Sequence, residues 1–134
     1  MRGTPEAELL RANQAFYDAF ATGDIEAMDE LWARGLPVAC VHPGWAPLYG
    51  RDEVLSSWRS ILLGGGAPKV YCEDAQAAVF GDTGFVVCVE HIEGTALVAT
   101  NYFVFRDDVW QIVHHQGGPM NAEADPAPTD RTLN

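Results

Sequence analysis

Long hydrophobic segments are missing from this 134-residue chain. No apolar run approaches the ~20 residues that a helix needs to cross a lipid bilayer. The first residues, MRGTPEAELLRANQ, contain acidic side chains and no sustained apolar stretch, unlike a secretory signal peptide. We therefore expect no membrane partner and a cytoplasmic location.

Basic residues are also scarce. Eight Lys and Arg residues stand against nineteen Asp and Glu residues, for a formal net charge of −11. Nucleic acids and anionic membrane surfaces are bound largely through contacts of Lys and Arg with phosphate groups. The composition therefore argues against both as partners. A chain of this length with 48% hydrophobic residues is typical of one domain around one core.

Cysteine is limited to Cys40, Cys72 and Cys88, which are far apart and include no CxxC pair. An odd number of widely spaced cysteines favours reduced, buried thiols over a disulfide framework. A metal site would need three or four converging ligands, and the histidines form neither a helical i, i+4 pair nor an HxH strand pair. We therefore expect no metal site.

Hydrophobic periodicity predicts helices in the first half of the chain. Apolar residues recur at helical spacing in residues 5–22, 25–33 and 52–63, with Pro5 suited to a first turn. A strand is predicted at 36–42, and it is followed by the loop HPGWAPLYG, which has two prolines and two glycines.

The second half of the chain changes to strand patterns. Residues rich in valine, phenylalanine and other strand formers predict strands at 69–80 (one strand or a bent pair), 84–91, 95–106 and 109–116. Helices followed by a meander of antiparallel strands imply the α+β class, with the helices covering one face of a bent sheet. We assign residues 1–119 to a single domain and expect residues 120–134 to form a mobile tail.

Several phrases resemble the nuclear transport factor 2-like superfamily, also called the SnoaL-like or ketosteroid isomerase-like fold, over about residues 6–119. These phrases are AFATGDIEAMDELWA, VACVHPGWAPLYGRDEVLSSWRSIL and ATNYFVFRDDVWQIVHH, followed by Gly-Gly-Pro. The closing WQIVHH also resembles the association domain of calcium/calmodulin-dependent kinase II. The resemblance implies a cystatin-like cone, in which helices close one end of a strongly curved antiparallel sheet around an internal pocket. It also implies a homodimer formed through the other face of the sheet.

The adjacent histidines of WQIVHH should lie on opposite faces of the last strand. Alternation predicts one face with Gln111, Val113 and His115 and another with Trp110, Ile112, His114 and Gln116. The resemblance to the kinase association domain implies that Asn101 and Gly117 face the cavity. Gly117 shares the parity of His115, so we expect Asn101 and His115 to point inward and His114 to lie toward the dimer face.

Acid–base chemistry in such a pocket needs positioned proton donors and acceptors. An isomerase of the ketosteroid type needs a carboxylate base, yet the late strands offer no obvious inward acid, since Glu90 and Glu93 lie near a turn. His42 and His115 are the candidate catalytic residues. Their partner acid is not identifiable from the sequence.

The loop HPGWAPLYG is predicted to line the pocket mouth, where His42, Trp45 and Tyr49 would meet. Trp45 would cover a ligand, and Tyr49 and Asn101 would orient a substrate oxygen. The alternative is that Trp45 fills the core and that His42 is a satisfied hydrogen-bonding residue. Two further aromatic residues, Trp58 and Phe103, complete the predicted substrate-binding set, although helical spacing also suits Trp58 to the core.

Two functions remain open from the sequence. The first is a small-molecule enzyme that binds a partly apolar compound and catalyses isomerisation, dehydration or cyclisation by proton transfer without a cofactor. The second is a non-catalytic ligand-binding or oligomerisation module like the kinase association domain. The fold that the resemblance implies does not choose between them, because it carries many activities.

Overall fold

The computed structural model describes residues 3–65 and 69–121. Nine elements follow the order α1 Pro5–Thr22, α2 Ile25–Leu31, β1 Ala39–Val41, β2 Leu48–Tyr49, α3 Arg51–Leu63, β3 Val70–Phe80, β4 Thr83–Ile92, β5 Thr95–Arg106 and β6 Val109–Pro119. The α+β class is confirmed, with several differences from the predicted elements. Helix α2 ends at Leu31, β1 is shorter than predicted, the loop HPGWAPLYG ends in the short strand β2, and β6 continues to Pro119. Of the predicted tail, residues 122–134 lie outside the described residues. No helix in the described ranges is long and apolar enough to span a membrane.

Helix α1 has clear start and stop signals. The hydroxyl of Thr4 accepts a hydrogen bond from the N–H of Ala7 at 3.1 Å, and Pro5 follows at the first turn. Gly23 ends the helix with φ of 68°, in the left-handed region that glycine tolerates best. Between these ends, the buried face of α1 supplies both apolar side chains and, at Asn13 and Tyr17, polar ones.

The six strands form one mixed sheet with the order β2-β1-β6-β5-β4-β3. Neighbouring strands are antiparallel except β1 and β6, which pair in parallel with Cys40 opposite His115. The expectation of a purely antiparallel sheet is therefore corrected at this one pairing. Hairpins connect the consecutive strands β3, β4, β5 and β6. Strand β1 is far from β6 in the sequence and pairs with it only in the tertiary fold, so local turn signals could not reveal this pair.

A bulge interrupts the pairing of β5 with β6. Phe103 is opposite Ile112, while the preceding residue Tyr102 is opposite His114, which leaves Val113 as an extra residue in β6. Such a bulge bends the strand and shifts the alternation of side chains beyond it.

The bulge changes which residues of β6 share a face. Trp110, Ile112 and His115 are all buried, while His114 is only partly buried. The prediction that Trp110 and Ile112 lie opposite His115 is therefore wrong. His115 and His114 do lie on opposite faces, because they are neighbours beyond the bulge.

The core lies between the helices and the inner face of the sheet. Phe16 and Phe20 of α1 contact the ring of Trp58 edge to face, with centroid distances of 5.5 and 4.9 Å. Trp58 is fully buried, which agrees with the helical spacing that suits it to the core. These rings close one side of the polar site described below.

The side chain of Arg51, the first residue of α3, links this helix to the end of α2. Its guanidinium donates hydrogen bonds to the carbonyl oxygen of Trp32 at 2.8 Å and to that of Asp29 at 3.0 Å. It also lies 2.6 Å from the carboxylate of Asp29. The side chain thus satisfies carbonyl groups at a helix end that would otherwise need water.

Replacement of Arg51 by methionine should lower the free energy of unfolding by about 1–3 kcal/mol, because charge-assisted hydrogen bonds to two carbonyls and a carboxylate are lost. Arg59 is an exposed residue of the same helix. The free energy of unfolding of Arg59→Met should therefore stay within about 0.5 kcal/mol of the wild-type value. Urea unfolding followed by tryptophan fluorescence measures both. Equal effects of the two changes would contradict a specific role for Arg51.

Candidate functional site

Five polar side chains meet inside the fold, and none is more than 1% exposed. We call them the internal cluster: Asn13 and Tyr17 from α1, Glu90 from β4, Asn101 from β5 and His115 from β6. They occupy the place where an internal pocket was expected. Buried polar groups are costly unless they are hydrogen-bonded, so the bonds within this cluster decide what it can do.

Asn101 orders one side of the internal cluster. Its amide nitrogen Nδ2 donates to Oδ1 of Asn13 at 2.8 Å and to the hydroxyl of Tyr17 at 3.2 Å. Its Oδ1 lies 2.5 Å from Nδ1 of His115. Because Oδ1 can only accept, His115 donates through Nδ1–H.

His115 is therefore a neutral ring with its free lone pair on Nε2. Burial lowers the pKa of His115 to about 3, with smaller contributions from the nearby rings of His42 and His114. The Nε2 atom lies 3.6 Å from Oε2 of Glu90. The ring thus presents an acceptor to the carboxyl group rather than a positive charge.

Glu90 is the acid of the internal cluster. Its Oε2 accepts a 2.5 Å hydrogen bond from the hydroxyl of Tyr17. Burial raises the pKa of Glu90, and the bond from Tyr17 opposes this shift only in part. Its other oxygen, Oε1, is buried without a hydrogen-bond partner in the described part of the protein. Such a carboxyl group can release or accept a proton closer to neutral pH than an exposed one.

The sequence expectation that the late strands lack an inward acid is wrong for Glu90. The predicted strand 84–91 already contained Glu90, and β4 runs on to Ile92, so this residue lies inside the strand. The residues of β4 two and four positions earlier, Cys88 and Val86, are also buried. Extending the alternation of this strand by one step would have found the acid.

His42, the other candidate catalytic histidine, belongs to a separate set of contacts. Its Nε2 lies 2.8 Å from Oγ of Ser57, whose hydroxyl donates to the carbonyl oxygen of Val54. Burial lowers the pKa of His42 to about 4. The ring centroids of His42 and His115 are 6.4 Å apart, so the two rings do not hydrogen-bond directly.

The predicted substrate-binding residues are dispersed. Asn101 is in the internal cluster, and the buried Trp58 lies beside it, with a centroid distance of 5.9 Å to His115. Phe103 is a fully buried core residue next to the β5–β6 bulge. Trp45 is 45% exposed and covers the ring of His42 edge to face at 4.7 Å.

Tyr49 does not join these residues. Strand pairing sets Leu48 opposite the buried Cys40, so alternation turns Tyr49 to the other face, where it is 68% exposed. The expectation that His42, Trp45 and Tyr49 meet is therefore corrected for Tyr49. In the described ranges, no three His, Cys, Asp or Glu side chains converge as metal ligands.

Glu90→Gln should change how stability depends on pH. Because burial raises the pKa of Glu90, the folded chain keeps this proton above ~4.3, where an unfolded chain loses it. In this window the unfolded state binds fewer protons, so the stability of the wild type falls as pH rises from ~4.3 through the folded-state pKa. The fall should be about 1.4 kcal/mol per pH unit relative to the variant.

Urea unfolding at closely spaced pH values gives this difference. The glutamine keeps the shape of the side chain and can still accept from Tyr17, so packing is matched. Parallel stability curves for the two proteins would mean that Glu90 titrates alike in the folded and unfolded chains.

Known proteins share this fold over most of the chain. A provisionally assigned dehydratase of the NTF2-like family from Streptomyces avermitilis is 34% identical, with a TM-score of 0.81 over 87% of this chain and 96% of that one. A provisionally assigned calcium/calmodulin-dependent protein kinase type II association domain from Thiobacillus denitrificans is 32% identical, with a TM-score of 0.75 over 88% and 96%.

One curated relative is longer than this chain. F-box protein SKIP8 of Arabidopsis thaliana is 23% identical over 114 residues, which are 84% of this chain and 49% of that protein. The chain thus spans about half the length of this relative. The sequence profile of the SnoaL-like domain matches residues 9–122, which is most of the chain. The resemblance seen in the sequence is confirmed: the chain belongs to the SnoaL-like domain family.

Proposed function

We propose that this chain is an enzyme that moves a proton on a small, partly apolar organic molecule, by isomerisation, dehydration or cyclisation, without a cofactor. The observation that carries the proposal is the buried carboxyl group of Glu90, which has a raised pKa and one oxygen without a partner among the residues that the structure describes. A carboxyl group in this setting costs folding free energy and is suited to proton transfer near neutral pH.

Glu90 suits the role of proton carrier better than either histidine. Burial lowers the pKa values of His42 and His115 to about 4 and about 3, so both rings are neutral and weakly basic at pH 7. His115 is instead a positioning residue, since its Nε2 faces the carboxyl group and its Nδ1–H is held by Asn101. Tyr17 holds the other side of the carboxyl group.

A ligand would reach Glu90 past the segment that joins β1 to β2. Residues 43–47 of this segment are all exposed. Beside them an open cleft of about 470 Å³ is lined by Trp45 and residues of α3 that include Ser57. Ser57 bonds His42, and the ring of His42 lies next to that of His115, so neighbouring side chains connect this cleft with the internal cluster. The similar Streptomyces avermitilis protein supports dehydration among the three reactions.

The proposal predicts that turnover depends on Glu90. A suitable panel contains β-hydroxy ketones such as 4-hydroxy-4-phenylbutan-2-one, whose loss of water forms a conjugated enone, and β,γ-unsaturated ketones. Glu90→Gln should lower the rate with an active compound by about 10²–10⁴-fold, because it removes the proton carrier. Ultraviolet absorbance of the conjugated product measures the rate.

Glu93→Gln is the matched control, since Glu93 is an exposed residue just after the same strand. It should retain the wild-type rate. Turnover that survives in the Glu90 variant, or a wild type that converts no member of the panel, would contradict the proposal.

A second candidate function is assembly through the sheet. The helices pack on the inner face, whereas the outer face carries exposed Val87 and Val98 together with partly buried Tyr102 and His114. Apolar side chains in neighbouring strands form a surface that a second copy of the chain can cover. The similarity to the Thiobacillus denitrificans association domain supports this candidate. Assembly is compatible with the enzyme, because it uses the opposite face.

If the outer face joins two copies, Val87→Glu should convert the dimer to a monomer, because a buried unpaired charge at an interface is costly. Val109→Glu is the control, since Val109 is exposed beside the cleft formed with α1 and α2. Sedimentation equilibrium measures the mass of each variant. A wild type that is monomeric at micromolar concentration would contradict assembly through this face.

A further inference from the structure

Gly117 is placed directly in front of the unpartnered oxygen of Glu90. It is a buried residue of β6 and pairs with the buried Ala99 of β5. A Cβ atom added at Gly117 would lie 3.1 Å from Oε1 of Glu90, and the next nearest residue is Pro43, at 3.7 Å. The missing side chain therefore keeps a methyl group out of close contact with this oxygen.

The backbone does not explain the glycine at this position. Gly117 is not among the residues with positive φ, so alanine could adopt its conformation. The next residue, Gly118, also lacks positive φ, and an added Cβ would meet no heavy atom within 4 Å. The two glycines thus differ in burial and in what a methyl group would touch.

The hydrogen bonds of Glu90 determine what this space can recognise. Its Oε2 accepts from Tyr17 and lies 3.6 Å from Nε2 of His115, whereas Oε1 has no hydrogen-bond partner in the described part of the chain. Oε1 can therefore accept from an alcohol or, when it carries the carboxyl proton, donate to a carbonyl oxygen. A buried polar atom without a hydrogen-bond partner is costly, and a ligand oxygen would recover this cost.

The charges around the internal cluster select an uncharged ligand. Within the described ranges, the hydrogen bonds and the ion pair of the cluster involve no Lys or Arg. Every Lys and Arg in the described ranges is at least partly exposed. An anion placed beside Oε1 would lose its hydration without gaining a positive partner and would be repelled by ionised Glu90.

We propose that the space in front of Gly117 is a ligand subsite that takes the oxygen of an uncharged alcohol or carbonyl compound, hydrogen-bonded to Oε1 of Glu90. Pro43 forms the opposite wall. Gly117 is then a specificity-determining residue, because any side chain there would occupy the position of the ligand oxygen. The proposal deepens the proposed function and rests on it for the role of Glu90.

Binding of small probes tests the subsite without requiring turnover. The probes are acetophenone labelled with ¹³C at its carbonyl, cyclohexanone and 1-phenylethanol, with benzoate as an anionic analogue. For the wild type and Gly118→Ala we expect binding of at least one uncharged probe, a shift of the acetophenone carbonyl band to lower frequency, and no binding of benzoate. Gly117→Ala should weaken binding at least tenfold and abolish the band shift.

Several results would overturn the subsite. These are unchanged binding in Gly117→Ala, tighter binding of benzoate than of the uncharged probes, or no probe binding to the wild type, as expected if water alone meets Oε1. If Gly117→Ala does not fold, Pro43→Ala enlarges the same space from its exposed side and should improve binding of acetophenone relative to cyclohexanone. An unchanged ratio would then count against the subsite.

The two proposals can fail separately. If probe binding depends on Gly117 but no panel compound is converted, the proposed subsite is supported and the proposed enzymatic function is rejected. If conversion depends on Glu90 but Gly117→Ala binds every probe as the wild type does, the enzymatic function is supported and the subsite is rejected.

Discussion

The hydrogen bond from Tyr17 to Glu90 is the contact on which the interior of this protein depends. It joins helix α1 to strand β4 in a region closed to solvent, where an unbonded carboxyl group would be very costly. Asn101 bonds the same hydroxyl and also fixes His115, so α1, β4, β5 and β6 all contribute to one network. Networks of this kind strengthen when every member is satisfied and weaken the fold when one is not.

One member of the network is not satisfied. Oε1 of Glu90 has no partner among the described residues, and the chain places a glycine rather than a side chain in front of it. Replacing the carboxyl group by an apolar side chain would remove the cost of its burial but would also leave the hydroxyl of Tyr17 without this acceptor. A polar atom that is retained at a cost, with space beside it, is better explained by ligand chemistry than by stability.

Much of the fold was predictable because its signals are local. Helix α1 has its cap, its proline and its glycine within the segment itself, and strand β5 was predicted with the observed ends. The inward direction of Asn101 and His115 followed from the resemblance together with alternation near the end of β6. The acid was missed because Glu90 is close in sequence to a turn, although β4 continues past it.

The sequence by itself determined the elements other than β2, their order and the α+β class, because periodicity and turn residues act over a few neighbouring positions. The tertiary structure alone decided the parallel pairing of β1 with β6, the bulge at Val113, the outward turn of Tyr49 and the meeting of Tyr17 with Glu90. These features depend on contacts between residues far apart in the chain, such as α1 with β4. Their geometry is fixed only when the helices pack against the twisted sheet.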